Sequence, residues 1–202
     1  MATTQSSRSS RSAPQSWLSQ ITKKVAKRPA LLVIMGKPGV GKTSLALNIP
    51  GVVCIQFTQE QSIGALKSTG AVPEDAAVFP CPANWTELLA MLDELATGEH
   101  DYKCLAIDTV SCAERMMHEH VCARDYNGEW ERGFLAYARG FEASLADFRG
   151  GFLKAIDRLR DERKMSVVML EHTQVRPYKN PMGEDYDRFV PALHAKTWDL
   201  LH

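Results

Sequence analysis

The sequence predicts an α/β fold, a three-layer sandwich whose central sheet is mostly parallel. Three observations carry that prediction. Short apolar runs (ALLVIM, VVCIQF, CLAID, SVVML) recur along the 202 residues without polar alternation, as strands do when both faces are covered. Stretches with helical spacing separate these runs, as parallel crossovers require. A glycine-rich string, GKPGVGKT at 36–43, sits directly between the first apolar run and a helical one.

The run at 30–35 contains β-branched residues and reads as a buried strand. Residues 44–47 read as a first helical turn that Pro50 and Gly51 end. Residues 52–57 form a second strand and 77–79 a short third. Asn84 offers an N-cap with Glu87 three residues on, and Leu88, Leu89, Leu92 and Leu95 supply a stripe that Gly98 stops. CLAID at 104–108 is the next strand, followed by a helix over about 110–124 that ends before the turn-like DYNG at 125–128. Phe141, Leu145, Phe148, Phe152, Ile156 and Leu159 recur at steps of three or four. They predict an amphipathic helix of about six turns, with Gly150 and Gly151 a weak point or a close-packing point. SVVML at 166–170 is the last core strand. Residues 175–190 hold two prolines and no periodicity, so they read as a loop, long enough to be functional or disordered.

Composition limits the function classes. Hydrophobic residues make up 45% of the chain, yet no apolar run approaches the roughly 18 residues of a membrane span, so no membrane role is expected. The first thirty residues lack the apolar segment of a secretory signal, and five cysteines suit reduced thiols; the expected compartment is the cytoplasm. The formal net charge is zero, but residues 1–30 carry Arg8, Arg11, Lys23, Lys24, Lys27 and Arg28 and no acid, which leaves −6 for the remainder. Residues 1–29 therefore read as a basic arm, disordered or partly helical over 17–25, and 30–202 as one core. The arm fits a contact to nucleic acid or a solvated tail, and its serine-rich composition favours the tail.

The glycine-rich string has a mechanism in its context. Gly36, Gly39 and Gly41 let the backbone turn its N–H groups toward an anion, with Lys37, Pro38, Val40 and Ser44 completing the cradle. The helix start adds donors and the positive end of a dipole. Lys42 is placed to reach the β and γ phosphates, and the Thr43 hydroxyl to take a position on Mg²⁺. This is a site for a nucleoside triphosphate. Hydrolysis also needs an acid that organises Mg²⁺ and a group that orients water. Asp108, closing CLAID, fits the first. No second acid follows it, so the water-activating carboxylate comes from elsewhere, and Glu60 just beyond the second strand is the candidate. Glu171, His172, Thr173 and Gln174 end the last strand where a γ phosphate would be sensed, although His172 reads equally as a hydrogen-bonded structural residue.

In the loop beyond, Arg176, Lys179 and Arg188 stand among Tyr178, Tyr186 and Phe189, types that pair with and stack on single-stranded nucleic acid. Glu184, Asp185 and Asp187 offset them in bare composition. Cys112, His118, His120 and Cys122 look like metal ligands but fail on helical geometry: at 100° per residue His120 points about 160° from His118, and only His118 and Cys122 share a face. No metal beyond Mg²⁺ is expected.

With these residues in place the chain resembles the phage nucleotide-binding proteins with a RecA-type core, a group that includes phage single-strand annealing ATPases. The resemblance runs from about residue 30 to the end, on VIMGKPGVGKTSLALNIP, CIQFTQEQSIGAL, CLAIDTVSCAE and VVMLEHTQVRPYKNPMGEDYDRFVPALHAK. It implies a RecA-like P-loop NTPase core and an ATPase acting on single-stranded DNA in recombination or replication. Lys42 and Thr43 match the Walker A pair, Asp108 the Walker B acid, Glu60 the catalytic glutamate and His172 the sensor. The segment with Arg176, Tyr178, Lys179 and Arg188 matches a DNA-binding loop. A homo-oligomer is implied, in which a neighbouring subunit supplies a cation such as Arg188 or Lys196, along with a possible single-strand binding protein as partner. The Asp and Gly usual around the glutamate are absent from Thr58–Ser62, so slow hydrolysis is expected. The resembled proteins continue into another strand where this chain stops, so it reads as shortened or truncated. Two alternatives belong to other classes. A partitioning-type switch ATPase is suggested by Lys37 but not by Pro38. A small-molecule phosphotransferase would need an arginine lid, whereas Arg158, Arg160 and Arg163 fall on the long helix.

Overall fold

A computed structural model describes residues 27–60 and 62–201. The expected basic arm lies outside the described residues except for its last few positions, as does Gln61 beside Glu60.

Among the described residues, six strands form the sheet. They are β1 (Leu31–Gly36), β2 (Val52–Gln56), β3 (Ala77–Val78), β4 (Cys104–Asp108), β5 (Ser166–Tyr178) and β6 (Tyr186–Pro191). The order is β1-β5-β4-β2-β3, all parallel, with β6 pairing antiparallel to the far half of β5. The α/β expectation with a mostly parallel sheet is met. Insertion of β5 between β1 and β4 sets Gly36 beside His172 and Asp108 beside Leu170, which gathers three strand ends at one edge of the sheet.

Helices cover both faces. On one lie α1 (Lys42–Leu47) and α2 (Ile63–Ser68), where Ala46, Leu47 and Ile63 close over Val52, Cys54, Cys104, Ala106, Val168 and Leu170. On the other lie α3 (Trp85–Thr97), α4 (Val110–Asp125), α5 (Arg139–Asp147) and α6 (Lys154–Asp161), over Val53, Ile55, Leu105, Ile107, Val167 and Met169. The alternating residues of each strand thus divide between two cores, the reason its sequence is apolar without a polar face. Asn84 caps α3 as its spacing predicts, accepting from Glu87 N at 3.0 Å, while the Glu87 carboxylate accepts from Ala83 N at 2.7 Å.

The expected long helix is α5 and α6 joined through a π turn at Phe148–Leu153. That turn is wider than an α turn, so the four-residue steps Phe148, Phe152 and Ile156 stay on the buried side. Gly151 is a close-packing point: a Cβ there would meet Leu89 at 3.2 Å. One expectation needs correction. Residues 175–190 are not an irregular loop but most of a β-hairpin, in which β5 runs on to Tyr178 and β6 returns from Tyr186. Pro177 is tolerated because it lies in a two-stranded ribbon beyond the body of the sheet, and the turn is closed by Asp185 accepting from Asn180 N at 3.1 Å. A last helix, α7 (Ala195–Trp198), is fastened to α4 where the Glu114 carboxylate accepts from His194 N at 3.0 Å. Among the described residues no helix is long and apolar enough to cross a membrane.

His118 of α4 lies between the rings of Phe134 and Phe141, at 5.3 and 5.1 Å, and is 7% exposed. Burial, reinforced by the charge of neighbouring His194, pushes its imidazole down to about 4. The folded-state value lies below the unfolded one, so this residue's contribution is complete above about pH 6.5 and is lost as the pH falls toward 4. Replacing it by leucine is therefore expected to flatten the acid side of the stability profile. The difference between wild type and His118→Leu in urea unfolding is expected to change by up to about 3 kcal/mol between pH 7 and 4. Parallel profiles would show that His118 does not carry the slope.

Candidate functional site

The phosphate loop runs from the end of β1 to the start of α1. Gly39 and Gly41 take φ of 80° and 90°, the left-handed region that a side chain resists, and Gly41 serves as the N-cap of α1. The groove above the loop, about 380 Å³, is lined by Pro38, Gly39, Gly41, Lys42, Thr43 and Ser44 from the loop side. Glu60, Ser62, Leu66, Asp108 and His172 line it from the sheet side. The sequence-selected residues Lys42, Thr43, Glu60, Asp108 and His172 thus meet in one place. Gly36, Lys37 and Val40 belong to the loop but do not line the groove. Gly36 faces inward, where a Cβ would meet Val40 at 3.0 Å, and the Val40 side chain is exposed. Lys37, the position that suggested a partitioning-type switch, holds its ammonium 4.8 Å from the Phe189 ring of the hairpin.

Three side-chain contacts organise the groove. Thr43 Oγ1 donates to Asp108 Oδ2 at 2.7 Å, joining the loop to the end of β4. Lys42 Nζ, 7% exposed, donates to the carbonyls of Gly36 at 2.9 Å and Lys37 at 3.0 Å, and lies 3.3 Å from His172 Nδ1. His172 Nε2 lies 2.8 Å from Glu60 Oε1. An ammonium can only donate, so Nδ1 accepts, and the ring proton sits on Nε2 and is donated to the Glu60 carboxylate. The result is a directed chain from Lys42 through His172 to Glu60. Sequence alone left His172 open between sensor and structural residue; here it touches both neighbours.

Asp108 is 1% exposed, and that burial raises its carboxyl above the ordinary range. The Thr43 hydroxyl and the charge of Lys42 oppose the rise, while the charge of Glu60 adds to it. A hydroxyl and a single carboxylate are hard oxygen donors of the kind Mg²⁺ accepts alongside phosphate oxygens and water. Asp108 and Thr43 are the residues that would hold it.

Residues expected elsewhere sort clearly. Arg158 donates to Asp93 at 2.5 Å and Arg160 to the carbonyl of Pro29 at 2.9 Å. Pro29 precedes β1, so Arg160 sits at the end of the sheet opposite the phosphate loop. Lys196 pairs with Glu142. In the hairpin, opposite residues share a face. Arg176 faces Arg188 and Tyr178 faces Tyr186 on one side, while Val175 faces Phe189 and Pro177 faces Asp187 on the other. Arg188 lies 4.4 Å over the Tyr178 ring, and the tyrosine rings are 5.1 Å apart. Lys179 follows in the exposed turn.

A family model described as an AAA domain matches residues 28–202, and the chain belongs to that family. The family is of the P-loop ATPase type and carries the expectation of a nucleotide-binding ATPase; the match does not extend to the phage group that the sequence resembles. No curated protein matches the chain.

Sequence reasoning missed Gln56, and Glu171, expected with His172 where a γ phosphate would be sensed, lies elsewhere. Gln56, at the end of β2, is the one amide in an apolar strand. Glu171, fully buried, faces away from the groove, and its carboxylate accepts from Ser111 N of α4 at 2.9 Å and from His172 N at 3.0 Å. Their signal was a polar residue ending a continuous apolar run. Burial pushes the Glu171 carboxyl up to about 7, against the pull of those N–H donors. A raised acid contributes stability that is complete below the unfolded value near 4.5 and is lost as the pH rises through 7. Relative to wild type, Glu171→Gln is accordingly expected to gain stability between pH 5 and 8. Thermal melts across that range check it, and a constant difference would contradict it.

Proposed function

We propose that this chain binds ATP with Mg²⁺ at the phosphate loop, hydrolyses it slowly, and couples that cycle to single-stranded DNA held on the β5–β6 hairpin. The observation that carries the nucleotide part is the convergence of Lys42, Thr43, Asp108, Glu60 and His172 on one groove at the carboxyl ends of β1, β2, β4 and β5, the edge where parallel sheets bind ligands.

In this reading the loop amides around Gly39 and Gly41 hold the phosphates, and Lys42 balances the charge of the β and γ groups. Mg²⁺ when bound supplies charge neutralisation on the β and γ oxygens. The Thr43 hydroxyl and the Asp108 carboxylate would hold the ion. Glu60 orients the attacking water and takes its proton. His172 keeps the Glu60 carboxylate aimed by donating from Nε2, and its Nδ1 senses the position of Lys42. A neighbouring subunit of a homo-oligomer supplies a further cation, for which the exposed hairpin residue Arg188 is the better candidate, since Lys196 is engaged by Glu142.

The DNA part rests on the hairpin register. Two arginines directly opposite each other destabilise a ribbon unless an anion lies between them. Tyr178 and Tyr186 add stacking surface on the same face, and Lys179 adds charge beside it. Asp187 points to the other face and Asp185 is used in the turn, so two of the three acids that offset the bases in composition do not share the Arg176–Arg188 face. A cytoplasmic place, a single-strand binding protein as partner and a role in phage recombination or replication belong to the same proposal; sequence character and resemblance alone support them.

Lys42→Ala is expected to weaken ATP binding at least 100-fold, whereas Glu60→Gln is expected to leave binding within about threefold and lower kcat by about 100-fold. Calorimetry and a phosphate-release assay separate the two, and unchanged turnover in the second variant would remove Glu60 from the mechanism. Arg176→Ala and Arg188→Ala are each expected to weaken single-strand binding and to lower the slope of log affinity against log salt by about 0.7. Anisotropy with a labelled oligonucleotide measures this. An unchanged slope, or equal affinity for duplex, would refute the DNA assignment.

A further inference from the structure

Gln56 closes β2, a strand that is otherwise Val-Val-Cys-Ile and buried throughout. It is 6% exposed and lies on the same face as Val52 and Cys54, over which α1 and α2 pack, beside Asp108 in the register. Its Nε2 donates to the backbone carbonyl of Glu60 and reaches Ser62 Oγ at 3.5 Å. Glu60 sits in a single 3₁₀ turn, Thr58–Glu60, whose backbone is also held by Glu60 N–H to Phe57 O at 2.9 Å and by Ser62 N–H to Glu60 O at 2.5 Å.

We propose that Gln56 is a positioning residue for Glu60: its side-chain amide pins the turn after β2, so that the Glu60 carboxylate meets His172 at the edge of the phosphate groove. This rests on the reading of Glu60 as the water-activating group. The chemistry at position 56 is restrictive. A hydrophobe would pack against Cys54 and Ile63 with no polar group to desolvate, whereas a buried amide costs about 1–3 kcal/mol unless it is bonded. A glutamate would lose the donor and set a second carboxylate beside Asp108. An amide in the last position of an apolar strand therefore answers a need at the turn rather than in the core. The Gln56 amide adds a side-chain bond to the carbonyl that Ser62 N also reaches, and a displacement of about 1 Å in a reacting group is enough to cost orders of magnitude in rate.

The experiment uses the full chain with Gln56→Met and Gln56→Leu, each alone and combined with Glu60→Gln. Both fill the volume of Gln56 without its donors. ATP affinity is expected to stay within about threefold, while kcat falls about tenfold or more in the Glu60 background and less than about twofold in the Glu60→Gln background. A loss of equal size in both backgrounds, or unchanged kcat, would overturn the proposal, because a general structural defect does not depend on Glu60. Amide exchange at residues 58–62, read by mass spectrometry, is expected to accelerate in both variants; unaltered exchange overturns the proposal even if turnover falls. In the unsubstituted chain the Gln56 side-chain amide protons are expected to exchange slowly and to show cross-peaks to the Glu60 turn. Exchange at solvent rates would overturn it whether or not a variant folds. A wild-type chain with no ATP turnover would instead defeat the proposed hydrolysis, and the exchange results would still decide the role of Gln56.

Discussion

His172 touches Lys42, which belongs to the loop after β1, and Glu60, which belongs to the turn after β2. That double contact is possible because β5 is inserted between β1 and β4, so its end stands above the middle of the sheet. If β1 and β4 were direct neighbours, the phosphate loop would face Asp108 alone. With β5 between them, the loop is joined to β4 by Thr43 and Asp108 and to the turn after β2 by an imidazole. The alternation of β5 does the rest: Leu170 and His172 face α1, while Met169 and Glu171 face the layer of α3 to α6, where Glu171 fastens the start of α4. One strand end therefore supplies a groove-lining side chain on one face and a structural carboxylate on the other.

The same strand continues into the hairpin without a break. Residues 166–171 are core, His172 lines the groove, and 173–178 pair with β6 in the order that sets Arg176 against Arg188. The phosphate loop and the hairpin also touch directly, through the Lys37 ammonium over Phe189. The proposed nucleotide and DNA surfaces are thus connected by a covalent strand and by a cation–π contact of the kind worth about 0.5–1 kcal/mol at exposed sites.

Local signals made the core and the phosphate loop legible in the sequence. GKPGVGKT needs only its flanking strand and helix to be read, and CLAID, SVVML and the Asn84–Glu87 capping box specify themselves within a few residues. The strand order was not written locally, because adjacency of β5 to β1 depends on how several crossovers pack. The hairpin was misread because Pro177 and Pro181 are strong breakers in a window, yet in a ribbon beyond the main sheet Pro177 costs little and Pro181 falls in the turn. Charge composition misled for a related reason: the register places Asp187 and Arg188 on opposite faces, and composition does not record faces. Gln56 stayed unremarked because a polar residue ending an apolar run looks like a strand boundary until its hydrogen bonds are seen, and Glu171 was grouped with His172 although neighbouring strand residues face opposite ways.

A triphosphate lying on the amides of the phosphate loop, with His172 and Glu60 at its far end, is the central claim. Adding ATP and Mg²⁺ to uniformly ¹⁵N-labelled protein tests it most directly. Saturable shifts are predicted at the amides of Gly39, Gly41, Lys42 and Thr43, together with a shift at the His172 ring nitrogens. Saturation that leaves these positions unmoved, or no binding with magnesium present, would contradict it.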